Sequence, residues 1–106
     1  MEIVQNFLER THILVGDEGL QKLNNANVLV AGLGGVGSYV VEALARAGIG
    51  SLTIIDNDTV NLSNINRQLP ALNSTIGKLK TVVIENRIKD INPDCNVTVA
   101  NDFLRT

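Results

Sequence analysis

The chain has 106 residues, 44% of them hydrophobic, and a formal net charge of −2 at pH 7. This length suits one small domain around one core, and the hydrophobic share excludes a disordered chain. The charge excludes a globally basic nucleic-acid binder, the single Cys95 excludes an internal disulfide or a cysteine-based zinc site, and no apolar run approaches a membrane span.

Residues 1–15 predict a helix or an extended arm ending in Ile13-Leu14-Val15. Met1-Glu-Ile-Val-Gln-Asn lacks the basic and apolar regions of a secretory leader, so a cytoplasmic location is expected. Arg10 reads by spacing as an ordinary surface charge, and His12 has no metal-binding companion in the sequence. Gly16-Asp17 stops this segment, with Asp17 able to cap a short helix over 18–24, and Asn24-Asn25 reads as a turn. A strand follows over 27–32. The next helix, about 35–47, is expected to turn Val36, Val40, Ala43, Leu44 and Ala47 inward, with Tyr39 as packing. Ser38, Glu42 and Arg46 form the opposite stripe, Glu42 and Arg46 being a favourable i,i+4 pair. Gly48 ends the helix.

A second strand runs from Ser51 to Asp56, followed by a polar stretch from Asn57 to Ser74. A helix over about 76–91 faces Leu79, Val83, Ile84, Ile88 and Ile91 inward until Asn92-Pro93 breaks it. Cys95 reads as a small buried residue before a third strand, Asn96–Ala100. The order β-α-β-loop-α-β predicts an α/β, Rossmann-like three-layer fold, specifically the N-terminal half of a mostly parallel sheet. Residues 1–26 form an N-terminal arm and helices; 27–106 form half of a nucleotide-binding domain. The first strand of such a sheet is central, so its far-side neighbours are expected from sequence beyond Thr106, and the chain from a larger domain.

Gly32-Leu-Gly-Gly-Val-Gly37 lies between the first strand and its helix, and Asp56 ends the next strand. This is a dinucleotide-type fingerprint in its proper strand–helix–strand context. Gly32 permits the tight turn, Gly34 and Gly35 let backbone N–H groups approach a phosphate, and Gly37 lets the helix pack on the strand. The helix N-terminus adds partial positive charge. Asp56 can accept two hydrogen bonds from a ribose diol; the competing reading is a turn or capping aspartate. Asp58 divides evenly between a loop cap and a site residue.

A long polar loop in a compact α/β domain is usually functional. In it, Arg67 between Asn66 and Gln68 suits a phosphate clamp, although alone such an arginine is more often solvated. Lys80 sits near a helix start, where a cation is electrostatically misplaced, so its charge is expected to serve a phosphate; Lys78 is expected to point to water.

With Gly32-Leu-Gly-Gly-Val-Gly, Asp56-Asn-Asp58, Ser63-Asn-Ile-Asn-Arg67-Gln, Gly77-Lys-Leu-Lys80 and Ile91-Asn-Pro93 in order, the chain resembles the adenylating ThiF/MoeB/HesA family, relatives of the ubiquitin-activating enzymes. Arg10-Thr11, Gly16-Asp-Glu-Gly19, Gly35-Val-Gly-Ser-Tyr, Ala43-Leu-Ala-Arg-Ala-Gly48 and Asn64-Ile-Asn-Arg-Gln look most like its TcdA branch, the tRNA threonylcarbamoyladenosine dehydratases. The resemblance implies ATP and Mg²⁺ as cofactors, with Gly35 and its neighbours on the ATP phosphates and Asp56 on the ribose. Ser63 to Arg67 would line the nucleotide, with Asn64 and Arg67 nearest the phosphates. Lys80 would stabilise charge on the α-phosphate. Arg10 would reach across a homodimer into the partner's site, making Arg10, Arg67 and Lys80 the catalytic set.

The implied chemistry is attack of a carboxylate oxygen on the ATP α-phosphate, giving an acyl-adenylate and pyrophosphate. In the TcdA branch the carboxylate belongs to the threonyl side of the modified base, and an internal nitrogen or oxygen then closes the ring. The family's catalytic aspartate follows a fourth strand, so this chain alone is expected to lack adenylating activity. No metal ligand is assigned. The competing readings are adenylation of the C-terminal glycine of a ubiquitin-like sulfur carrier (MoeB or ThiF type), an NAD-dependent oxidoreductase, and a non-catalytic binding module. Arg67 and Lys80 argue against the oxidoreductase.

Overall fold

The computed structural model describes residues 7–101. A helical segment α1 (Glu9–Asn25) leads into β1 (Asn27–Ala31), α2 (Gly37–Ala47), β2 (Ser51–Ile55), α3 (Lys80–Ile91) and β3 (Asn96–Ala100). The predicted arm lies partly outside the described residues. α1 is broken at Gly16 (φ 72°, ψ −177°), where the sequence predicts an interruption. It then continues through Asn25, so the expected turn at Asn24-Asn25 is helical instead. The Asp17 carboxylate takes the His12 ring at 2.6 Å.

The three strands are parallel in the order β1-β2-β3. The pairing aligns Val28, Leu52 and Val97 in one row and Val30, Ile54 and Val99 in another. Because side chains alternate along a strand, both rows share one face, and they form the core with Val41, Ala45, Ile84 and Ile88. Right-handed crossovers in a constant direction put α2 and α3 together on that face. On the opposite face Leu29 is 58% exposed. The described residues therefore build two of the three layers, and among them nothing pairs with the outer edge of β1.

The inner face of α2 differs from the expected one. Ser38, Val41 and Ala45 are buried, whereas Val36, Tyr39, Val40 and Ala43 are exposed; only Leu44 and Ala47 of the predicted set are partly buried. The reason is the contact of Gly37 with the preceding turn. It fixes the rotation of the helix, so residues one and two turns on from Gly37, Val41 and Ala45, face the sheet. Ser38 can be buried because its hydroxyl donates to the Gly34 carbonyl at 2.7 Å. Tyr39 accordingly is no packing residue.

α3 begins four residues later than the pattern predicts, after a turn through Gly77. Ile84 and Ile88 are buried as expected, Val83 and Ile91 half-buried. The two helices are joined along their length and at their C-terminal ends. Arg87 donates to Glu42, which also takes Arg46 at 3.4 Å. The Asn92 amide donates to the Ala45 and Ile49 carbonyls. Hydrogen bonding from Arg87 holds the Glu42 carboxyl below the usual carboxylate range. Cys95 is buried, and burial pushes its thiol up, the opposite of an activated nucleophile.

Candidate nucleotide site

The glycine turn leaves the carboxyl end of β1, where open parallel sheets bind ligands. The Gly32 N–H donates to the Ile55 carbonyl at 2.8 Å, and Gly32 adopts φ +90°. An L side chain is strained there. At Gly37 the obstacle is space: a Cβ would lie 1.8 Å from the Gly32 carbonyl oxygen. Between them, a Cβ on Gly35 would meet nothing within 4 Å, and one on Gly34 only the Gln68 amide nitrogen at 3.8 Å. The turn is thus closed toward the core and open outward. α2 starts with no side-chain cap and no acidic residue in its first turn, which leaves its positive end available to an anion.

Asp56 stands beside this turn. One carboxylate oxygen accepts the Leu33 N–H and the other the Asp58 N–H, both at 2.7 Å. A carboxylate offers about four acceptor positions, so each oxygen retains capacity for a hydroxyl.

The long segment after Asp56 folds back by backbone bonding. Val60 N–H donates to the Lys78 carbonyl, Gly77 N–H to that of Val60 and Lys80 N–H to that of Asp58. This stitching brings the start of α3 to the end of β2. Lys80 is buried, with its ammonium 3.9 Å from an Asp58 carboxylate oxygen; Asp58 is exposed, as is Lys78. Within this segment, the first of two short 3-10 turns (Leu62–Asn64) carries Ser63, exposed, and Asn64, buried. The Asn64 side chain accepts the Asn61 N–H at 2.9 Å, and its carbonyl accepts the Arg67 and Gln68 N–H groups. Asn64 therefore shapes the loop from within. Arg67 is exposed, donating to the Ser63 carbonyl and the Asn66 side chain at 3.1 Å each.

The structure thus gathers Gly32, Gly34, Gly35, Gly37, Asp56, Asp58 and Lys80 around the carboxyl ends of β1 and β2, with the segment carrying Ser63, Asn64 and Arg67 folded beside them. Arg10 is not among them. Two residues before it, Leu8 lies against Gly48, where an added Cβ would meet the leucine at 2.6 Å. Gly48 closes α2 at the end away from the glycine turn. Sequence reasoning missed Gln68, which is the residue facing Gly34 and whose side-chain amide oxygen is buried without a partner among the described residues. Its place next to Arg67 was the available signal.

The family profile described as "ThiF family" matches residues 8–106. The chain belongs to the ThiF family. Within it, the chain is similar to the tRNA threonylcarbamoyladenosine dehydratases. It is 58% identical over 87 residues to the one from Haemophilus influenzae, covering 82% of this chain and 33% of that protein. It is 41% identical over 90 residues to a probable molybdopterin-synthase adenylyltransferase of Gracilaria tenuistipitata var. liui, covering 85% of this chain and 25% of that one. The E. coli tRNA N6-threonylcarbamoyladenosine dehydratase TcdA, solved in complex with ATP and with AMP, superposes with a TM-score of 0.92 at 44% identity in both cases. Each superposition covers 98% of this chain and 44% of that one. The chain spans about a third of the length of the curated tRNA threonylcarbamoyladenosine dehydratases of Haemophilus influenzae, Bacillus subtilis and Escherichia coli. These ThiF-family likenesses accord with the Rossmann-like sheet.

Proposed function

We propose that this chain forms the ATP-binding part of a carboxylate-adenylating enzyme that dehydrates threonylcarbamoyladenosine in tRNA to its cyclic form. One observation carries the reading: nearly the whole chain superposes on a tRNA threonylcarbamoyladenosine dehydratase solved with ATP. The local chemistry supports it. The outward-open Gly34-Gly35 backbone and the α2 N-terminus receive phosphate, Asp56 receives the ribose, and Lys80 and Arg67 balance charge that develops on the α-phosphate. Ser63 and Asn64 frame the loop that presents Arg67. Asp58 belongs to the same site.

Mg²⁺ arrives with the ATP phosphates. The described residues hold no group of three or more His, Cys, Asp or Glu suited to a metal, and a cradle of amides and cations fits a metal carried by the phosphates. Arg10 serves the partner's site in a homodimer, a role favoured by the contact of nearby Leu8 with Gly48 at the end of α2 away from the glycine turn. In this reading residues 1–26 are the arm, 27–106 carry the nucleotide half-domain, tRNA is the macromolecular substrate, and the work is cytoplasmic. No helix among the described residues is long and apolar enough to cross a membrane.

A second reading, adenylation of a sulfur-carrier protein, draws on the likeness to the molybdopterin-synthase adenylyltransferase. Two experiments separate the possibilities. Calorimetry on the chain should show ATP binding without comparable NAD binding; the reverse preference overturns the adenylation reading. Grafting residues 8–106 into E. coli TcdA in place of the aligned segment should preserve tRNA dehydration, read by nucleoside mass spectrometry. Activity only when grafted into the adenylyltransferase would move the chain to the sulfur-carrier branch.

A further inference from the structure

The connections that leave β1 and β2 meet at one side chain. Gln68, in the long connection, turns its amide nitrogen toward the outward side of Gly34 in the short one. A Cβ on Gly34 would meet that nitrogen at 3.8 Å and nothing else within 4 Å. The Gly34 carbonyl is not its partner, because that oxygen already accepts the Ser38 hydroxyl at 2.7 Å and the Ser38 N–H at 3.4 Å. The backbone of Gln68 is anchored on both sides. Its N–H donates to the carbonyl of the buried Asn64 at 2.9 Å, and its carbonyl accepts the N–H of the buried Ala71 at 3.0 Å. Pro70 between them is fully buried.

Burial also decides which end of the amide points out. Oε1 is buried and has no partner among the described residues, and no hydrogen bond of those residues uses the Nε2 donors. Turning the amide over would bury two unpaired donors in place of one acceptor. It would also aim an oxygen at the open side of a turn whose helix end attracts anions. The side chain is therefore set with its donors outward. Arg67, one residue earlier, is placed differently: it is exposed, and its guanidinium is engaged by the Ser63 carbonyl and the Asn66 side chain. The group that this loop presents to the glycine turn is thus an amide, not a cation.

We propose that Gln68 is a phosphate-binding residue: its Nε2 group forms the outer wall of the glycine turn and donates to a phosphate oxygen seated on the Gly34-Gly35 backbone. A hydrogen bond from a neutral amide to an anionic oxygen is charge-assisted, so Gln68 supplies direction without adding charge to the site. It fixes where the phosphate sits, and charge balance is left to Arg67 and Lys80. That the phosphate belongs to ATP rests on the function proposed above; that the amide meets a phosphate at this turn does not.

The test follows the Gln68 side-chain NH2 signals by NMR of the nitrogen-15-labelled wild-type chain. Their loss in Q68L assigns them, and the exposed Gln21 is the internal reference. Titration with ATP, and separately with tripolyphosphate, should move the Gln68 pair and leave Gln21 in place; a Gln68 pair that stays put at saturation overturns the proposal. Calorimetry then compares Q68L with Q68E, which keeps the shape and removes the donors. Both should bind ATP about tenfold more weakly and adenosine within about twofold of wild type. The Q68L thermal midpoint should not fall, because an unpaired buried acceptor is removed. An ATP loss below about threefold in both variants overturns the proposal. So does a parallel loss of ATP and adenosine binding with a lowered thermal midpoint, which would make Gln68 a brace of the loop. A wild type that binds tripolyphosphate but not ATP defeats the ATP reading alone, and the variants are then judged on tripolyphosphate. A wild type that binds neither defeats both.

Discussion

The two strand-to-helix connections at the carboxyl edge of the sheet are shaped by opposite means. The first, from Gly32 to Val36, is short and presents backbone. Its shape follows from covalent geometry: a left-handed Gly32 and a Gly37 with no room for a Cβ above the Gly32 carbonyl. The second, from Asp56 to Leu79, is long and presents side chains. It depends on a network of single hydrogen bonds through Asp58, Val60, Asn64 and Lys78. A backbone cradle is cheap to specify and hard to perturb partially, whereas placing cations needs a scaffold of its own.

The sharpest way to break this comparison is at the two ends of the glycine turn. Gly37→Ala should cost about 3 kcal/mol or more of stability, because the obstructing atom is backbone and cannot swing away. Gly35→Ala, facing open space, should unfold within about 1 kcal/mol of wild type yet bind ATP about tenfold more weakly. Urea denaturation and calorimetry read the two effects; equal stability losses would show the turn to be closed on both sides.

The second connection is expected to behave in the other sense. Lys80→Met should lower ATP affinity about 30-fold, equivalent to roughly 2 kcal/mol, without loss of stability, since an apolar replacement of a buried charge is often neutral or stabilising. A parallel fall in thermal midpoint would make Lys80 a structural residue.

The smallest effect is expected away from the site, at the pair joining α2 to α3. Arg87→Ala should cost about 1 kcal/mol, the upper end for a partly exposed ion pair. Glu42 has its folded pKa depressed by Arg87, so this contribution is complete above the unfolded carboxylate value of about 4.3. It disappears as pH falls through the lower folded value. The difference between wild type and Arg87→Ala should accordingly narrow in acid; a gap that persists would assign the loss to packing.

The ease of reading each feature from sequence tracks these same physical differences. The glycine turn and the three strands are legible because their causes are local: steric limits on φ, and alternating branched residues. The inner face of α2 is not legible. Apolar and small residues occupy most of its circumference, and Ser38 satisfies its own hydroxyl at Gly34, so hydrophobic periodicity marks the wrong stripe. Arg87 meets Glu42 across 45 residues of sequence, a distance no local pattern spans. Asn64 and Gln68 belong to a recognisable motif, but only the folded loop turns one inward as a brace and the other toward Gly34.

By itself, then, the sequence determines a parallel β-α-β unit with an anion-seeking turn, because those features are written in backbone sterics and short-range periodicity. The tertiary structure alone decides that the buried Lys80 is held beside Asp58, that α2 rotates about the contact at Gly37, and that Leu8 lies against Gly48 at the far end of α2. Each of these depends on segments distant in sequence being forced together by the burial of one sheet face, and on the charges that this burial leaves to be balanced.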